Sequence, residues 1–254
     1  MRALVRAESW PIHGGFRIAR GAKNAAEVLV LELHQEGLIG RGECVPYARY
    51  GESIDSVRVQ IEAACRGLRE TGVREQLIAM PAGAARNAID CALWDLEAKR
   101  AGRPAWQLAG LAHPPEAIRT MRTVSVDSVE RMEAVAATLS DSVEIKVKVD
   151  GGADLERIAA VHRAAPHANL IVDANEAWSA EQLVAWLPIL PTFGVVLLEQ
   201  PLRADDDSLL EGLERDVPIC ADESFHDRRS FSRIGRRYDA VNIKLDKTGG
   251  LTEA

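Results

Sequence analysis

Glu144-Ile145-Lys146-Val147-Lys148-Val149-Asp150 is the stretch on which the fold turns. β-Branched residues recur at every second position and Asp150-Gly151-Gly152 ends the run, the signature of a short buried strand. Side chains alternate faces along a strand, so Ile145, Val147 and Val149 share one face and Lys146 and Lys148 share the other. Two adjacent lysines on an apolar strand repel each other and lose hydration, which is tolerated beside anions or in a wet cavity. Taken alone, the stretch reads as an edge strand with a solvated lysine face. Its surroundings reverse that reading.

Strand-like and helix-like segments alternate on both sides of it. Residues 119–126 read as a strand and 128–139 as a helix. After the lysine strand come a helix at 153–165, a strand at 169–175, a helix at 180–187, a strand at 194–200 and a short helix at 207–215. A strand at 218–224, a helical segment to Ile234 and a sixth strand at 240–246 follow. This alternation predicts a parallel sheet with crossover helices. Upstream, residues 1–50 read as an antiparallel β-meander, with 27–33 the clearest strand and Glu36-Gly37 a turn. Residues 53–70 have helical spacing through Val57, Ile61, Ala64 and Leu68. Residues 84–101 form a stronger helix with Ala85, Ile89, Ala92, Leu93 and Leu96 on one stripe, stopped by Gly102. Trp94 reads as packing. Pro104, Pro114 and Pro115 mark the passage into a second domain. Two loops remain. Residues 13–23 are glycine-rich and basic, as a mobile anion-binding loop or a plain solvated loop would be, and 42–52 read as a lid or a connection.

At 254 residues with 47% hydrophobic content, the chain can bury a sizeable core. A net charge of −7 argues against a nucleic-acid partner. Cys44, Cys65, Cys91 and Cys220 stand apart with no Cys-x-x-Cys, which fits a reducing compartment such as the cytoplasm and not a disulfide framework. No apolar run is long enough to span a membrane, and the N-terminus lacks the apolar core of a signal peptide. A homo-oligomer is compatible with this composition.

Each predicted strand of the second domain delivers charge near its C-terminal end. These are Lys146 and Lys148, then Asp173 with Asn175, Glu199, Asp222 with Glu223, and Lys244, at intervals of 22–26 residues from Lys148 onward. In a (β/α)8 barrel the C-terminal strand ends surround one active-site mouth. Singly, each acid reads as a cap for the following helix. Together, three carboxylates from consecutive strands form a hard-oxygen set for Mg²⁺. Strand parity does not choose between Asp222 and Glu223. A lysine pair beside a divalent cation has a lowered pKa, so one lysine can act as a base. Lys244 comes from the far side. Two lysines facing one substrate could each remove or return a proton, with the metal stabilising the enediolate left when the α-proton departs.

The set Lys146-Val-Lys148, Asp173-Ala-Asn175, Glu199-Gln-Pro201, Ala221-Asp-Glu-Ser224 and 242–250 resembles the enolase superfamily, muconate-lactonizing branch. Within that branch, Trp10-Pro11, residues 18–21, Pro46-Tyr47, residues 49–53 and residues 81–88 resemble the bacterial L-Ala-D/L-Glu dipeptide epimerases. The resemblance runs the length of the chain. It implies a (β/α)8-type barrel, here residues 116–254, under an N-terminal α+β capping domain, residues 1–115. It implies Lys148 and Lys244 as the acid/base pair and Asp173, Glu199 and Asp222 as ligands of one Mg²⁺, with Asn175 and Glu223 just outside them. Lys146 would tune Lys148 and touch the substrate carboxylate, and Thr123 would lie near the substrate. Lys23 stands where the family places an arginine for the glutamyl carboxylate, with Arg20 the alternative anchor. The implied activity is epimerisation of a dipeptide in murein peptide recycling. The same residues would also serve an o-succinylbenzoate synthase, an N-acylamino-acid racemase or a cycloisomerase.

The chain departs from the family at its end. A complete barrel has eight strands and six are legible, so at roughly 30 residues per unit about 60–70 residues would complete it. The Asp-x-Asp that these epimerases carry on the eighth strand has no counterpart. The expectation is a fragment of a longer gene product, or a truncated, non-catalytic one.

Overall fold

Period-two burial builds the first layer. The computed structural model describes residues 1–67 and 73–254. Strands β1 (Arg2–Ile18), β2 (Gly21–Gln35) and β3 (Leu38–Cys44) form an antiparallel sheet in that order. Leu29, Leu31 and Leu33 turn one face of β2 into the core. Helix α1 (Ile54–Gly67), α2 (Val73–Ile78), α3 (Ala84–Ala101) and the short α4 (Ala105–Leu108) follow. Val57 and Ile61 of α1 and Ala88, Ile89, Ala92 and Leu96 of α3 close this core. Residues 68–70 of the expected first helix, with Leu68, lie outside the described residues. Trp94 donates its indole N–H to Thr252 Oγ1 at 2.9 Å, a packing contact as expected.

The expected loop at 13–23 is instead the far end of a long hairpin. The pairs Phe16↔Lys23, Arg17↔Ala22 and Ile18↔Gly21 carry the ladder to a turn at Ala19-Arg20, past an irregularity between Pro11 and Phe16. Backbone pairing across the hairpin satisfies groups that a free loop would leave to water. The hairpin thereby projects Arg20 at its tip.

The second layer is β4 (Arg122–Val124), α5 (Val129–Ala137), β5 (Glu144–Lys148), α6 (Asp154–Ala164), β6 (Asn169–Asp173), α7 (Ala180–Trp186), β7 (Val195–Glu199), β8 (Ile219–Ala221), α8 (Phe231–Ile234), β9 (Ala240–Val241) and α9 (Leu245–Thr248). The six strands are all parallel and neighbour each other in sequence order. This is the winding of a (β/α)8-type barrel, with six of its units present. Ile145, Val147 and Val149 pack with Met132 and Ala136 of α5 and Ile158 and Val161 of α6. The apolar face of β5 therefore looks at the helices and its lysine face looks inward. Among the described residues, no helix is long and apolar enough to cross a membrane.

Three segments differ from expectation. Of 119–126, only Arg122–Val124 pairs. The helix expected at 207–215 is a single 3-10 turn, Ser208–Leu210, followed by Gly212 at φ 78°. Of 240–246, only Ala240 and Val241 pair, because the amides of Lys247 and Thr248 fold back onto the Lys244 carbonyl and start α9.

The two layers meet along α3. Arg86 donates to the carbonyls of Thr248 and, at 3.2 Å, Gly249. Asn87 Nδ2 donates to Asp246 Oδ1 at 2.7 Å, and Asp90 accepts from the amide and hydroxyl of Thr252. Buried polar residues on a helix that reads as apolar are thus the joint to the barrel.

Candidate active site

Strand register assembles the centre. Lys148 pairs with Asp173 across β5 and β6, and Asp173 pairs with Glu199 across β6 and β7. Lys148 Nζ donates to Asp173 Oδ2 at 2.5 Å and Asn175 Oδ1 at 2.9 Å. Lys146 Nζ stands 2.6 Å from Glu199 Oε2 and 2.8 Å from Asp173 Oδ2. Lys244, at the start of α9, donates to Asp222 Oδ2 at 2.5 Å. Asp173, Glu199 and Asp222 are all buried.

The structure separates Asp222 from Glu223. Asp222 faces the lysines. Glu223 faces the hairpin, and its Oε1 accepts from Arg20 at 2.5 Å and Asn175 Nδ2 at 3.3 Å. Its Oε2 is buried with no hydrogen-bond partner among the described residues. Arg20 also donates to the Asn175 carbonyl at 2.8 Å and to Glu176. Arg49, from the 42–52 loop, holds Glu176 with two hydrogen bonds of 2.9 and 3.0 Å. Tyr50 meets His226 edge-on at 4.4 Å. That loop is therefore seated on the barrel by charge and ring contacts. Lys23 is exposed, with its ammonium 5.6 Å from the Tyr47 ring centroid. Thr123 is in register with Lys146 and exposed.

A cavity of about 390 Å³ lies between the two layers. Lys148, Asn175, Asp222, Glu223, Lys244 and Lys247 form its barrel side, and Arg20, Tyr47, Arg49 and Tyr50 its cap side. The two candidate acid/base lysines thus open onto one cavity.

Their environments differ. Burial pushes Lys148 below the ordinary lysine range; the Lys146 charge adds to this and the Asp173 carboxylate opposes it. Burial also works against the charge on Lys244, but Asp222 outweighs it and the lysine is raised. Lys146 is raised likewise, by Asp173 and Glu199 against burial. Asp222 is pulled down to about 2, Lys244 and Lys247 overcoming burial. Glu199 is pushed up by burial and then by the Asp173 charge.

Among the described residues, no three ligand-type side chains already stand together at metal-binding spacing. Lysine ammoniums bind the three carboxylates instead. The donor set nonetheless fits a divalent cation. Three buried carboxylates at neighbouring strand ends crowd their charges, as the raised Glu199 records. Between two of them sits the Lys146 ammonium, a cation bonded to both. All the oxygens are hard donors of the kind Mg²⁺ takes.

Reasoning from sequence missed three contributors. Asn242 donates to Glu199 Oε1 at 3.0 Å. Gln200, at φ 37°, accepts the amides of Asp222 and Ser224 on its Oε1, at 2.9 and 3.0 Å. Lys247 holds Asp222 from below. All three lie within stretches that carry the resemblance, Glu199-Gln-Pro201 and 242–250, and Lys247 left the further signal of a charge one helical turn after Lys244.

Two family models together match nearly the whole chain. Residues 1–110 match the mandelate racemase / muconate lactonizing enzyme N-terminal domain, and residues 127–254 match the enolase C-terminal domain-like family. The L-Ala-D/L-Glu epimerase of Escherichia coli K12 is 49% identical over 250 residues, 97% of this chain and 78% of that protein. An enolase family member from Agrobacterium tumefaciens with homology to dipeptide epimerases, crystallised with sodium and L-Ala-L-Glu, superposes with a TM-score of 0.95 at 41% identity. That match covers 99% of this chain and 77% of the other. The dipeptide epimerase of Cytophaga hutchinsonii, solved with Mg and D-Ala-L-Val, superposes with a TM-score of 0.92 at 28% identity, covering 99% and 73%.

Proposed function

This chain belongs to the mandelate racemase / muconate lactonizing enzyme family of the enolase superfamily, and from that premise we propose that it is a Mg²⁺-dependent dipeptide epimerase. It inverts the α-carbon of the C-terminal residue of L-Ala-D/L-Glu-type dipeptides. The observation that carries this reading is the placement of Lys148 and Lys244. They stand at opposite ends of one row of carboxylates and open into one cavity.

Asp173, Glu199 and Asp222 would hold the Mg²⁺ ion, which when bound would supply Lewis-acid stabilisation of negative charge on the substrate carboxylate. The protein supplies the protons. Lys148 and Lys244, facing one cavity from the two ends of the carboxylate row, are the acid/base pair, each the base for one epimer and the acid for the other. When the Cα–H bond breaks, one lysine takes the proton while the electron pair passes into the carboxylate system. The other lysine returns its proton to the opposite face, and the configuration is inverted. Lys146 balances the charge of Asp173 and Glu199 beneath the reaction. Arg20, which lines the cap side of the cavity, Lys23 and Thr123 would serve the rest of the dipeptide, a carboxylate side chain included. The four unpaired thiols support a reducing, cytoplasmic location, where murein peptides would be recycled.

Exchange of the α-proton in D₂O tests the reading. With Mg²⁺, L-Ala-L-Glu and L-Ala-D-Glu should both take up deuterium, and a chelator should stop it. Lys148→Ala should block exchange from one epimer and Lys244→Ala from the other. Exchange with N-acylglutamate and with none of a dipeptide panel would replace this reading with the N-acylamino-acid racemase one.

A further inference from the structure

Lys247 is among the most deeply buried side chains in the protein, and its position has no counterpart in the proton transfer proposed above. The side chain is 1% exposed. Burying an ammonium is costly unless every hydrogen finds an acceptor. Here all three do: Asp222 O at 2.6 Å, Asp222 Oδ1 at 2.7 Å and Asn242 O at 2.9 Å. The single turn of α9 makes this reachable, since the Lys247 amide bonds back to the Lys244 carbonyl at 3.0 Å. A methionine would fill the same volume without a charge to desolvate. Packing alone therefore does not account for a lysine here.

The contacts around Asp222 show what the ammonium does. Gln200 Oε1 accepts the Asp222 amide at 2.9 Å. Lys247 binds the Asp222 carbonyl and one carboxylate oxygen. The carboxylate is thus fixed about its own axis, and its other oxygen, Oδ2, is the one turned to Lys244. We propose that Lys247 is a positioning residue that occupies Asp222 Oδ1, so that Asp222 offers a cation one oxygen only, and that this restraint favours Mg²⁺ over larger divalent ions. The physical basis is coordination preference. Mg²⁺ demands a compact octahedral shell of single oxygens, whereas Ca²⁺ accepts more ligands and takes carboxylates through both oxygens. The inference rests on Asp222 being a metal ligand, as in the function proposed above.

Isothermal titration calorimetry of Mg²⁺ and Ca²⁺, each alone, on wild type and Lys247→Met tests it without any activity readout. Losing the partner of a ligand typically weakens metal binding 10–100-fold. The expected result is a Mg²⁺ affinity at least about 10-fold weaker, with Ca²⁺ affinity changed much less, so that the Mg²⁺/Ca²⁺ preference falls. Should Lys247→Met fail to fold, Lys247→Leu, which likewise has no donor for Asp222 Oδ1, carries the same measurement. An unchanged Mg²⁺/Ca²⁺ ratio overturns the proposal, including the case where both affinities fall together, because that is a structural role. If wild type binds neither ion, the metal reading of the whole site falls with it; if wild type binds Mg²⁺ and the ratio holds in the variant, only this inference falls.

Discussion

Lys146 and Lys148 share one carboxylate oxygen, Asp173 Oδ2, at 2.8 and 2.5 Å from the same face of one strand. The two charges are held together by an anion they both need, and the Lys146 charge helps hold Lys148 down. Removing Lys146 takes away a positive neighbour and leaves Asp173 to Lys148 alone. Both changes favour the protonated form of Lys148. In Lys146→Met, the acidic limb of the pH profile for α-proton exchange should therefore move to higher pH. A profile that falls in height without moving on the pH axis would contradict this.

Asp246 joins the layers, accepting from Asn87 Nδ2 at 2.7 Å and from the Val45 amide at 3.3 Å. Burial pushes it up to about 6 from 3.8, against those two hydrogen bonds and with help from the Glu52 and Glu43 charges. A carboxyl whose folded pKa lies above its unfolded value holds its proton more tightly in the folded state. Its contribution to stability is full below about pH 4 and is lost as the pH rises through about 6. A shift of this size corresponds to at most about 3 kcal/mol. Urea unfolding should show wild type gaining on Asp246→Asn between pH 7.5 and pH 5. A pH-independent difference between the two would refute the assignment.

The cap core rests on close approach of backbone to backbone. A Cβ at Gly42 would stand 2.0 Å from the Ala88 carbonyl, and one at Gly40 would stand 2.2 Å from that of Ala92. Strand and helix cannot part without opening the core around Leu31 and Ile89. Gly42→Ala should cost about 3 kcal/mol or more, at the upper end of overpacking. Gly67→Ala, where a Cβ meets nothing within 4 Å among the described residues, is the control and should be nearly neutral. Chemical denaturation of the pair reads the difference.

Arg20 compensates a carboxylate that has few other partners. Without it, among the described residues, Glu223 keeps only the 3.3 Å contact from Asn175 on one oxygen and none on the other. Breaking a buried pair on one side costs about 3–5 kcal/mol. Arg20 is 35% exposed, so about 1–3 kcal/mol is expected for Arg20→Ala. Adding Glu223→Gln should recover much of the loss, because a neutral amide needs no counter-charge. Additive losses in the double-mutant cycle would show that the pair is not coupled.

Much of this could be read from the chain alone, and the particular residues show why. The helix at Ala84–Ala101 announced itself by periodicity. The strand Glu144–Lys148 did so by alternation. The row Lys148, Asp173, Glu199, Asp222 and Lys244 announced itself by recurrence at the ends of successive strands. Local pattern suffices for these because period 2 and period 3.6 are properties of a single segment, and because parallel units of similar length stack their ends in one plane.

What depended on residues far apart in sequence was left to the tertiary structure. Parity cannot tell Asp222 from Glu223, since the chain leaves β8 at Ala221 and both lie beyond the paired residues; Lys244 and Lys247 claim one and Arg20 the other. Residues 13–23 became a paired hairpin because partner strands lined up across them, not because of their own composition. Arg86, Asn87 and Asp90 are buried because α9 and the residues just after it arrive from about 160 positions away with carbonyls, a carboxylate and a hydroxyl to meet them. The sequence by itself determined which segments form strands and helices and which charges end the strands. Only the fold decided which charges face each other, because hydrogen bonding and desolvation act through distances in space that no local pattern records.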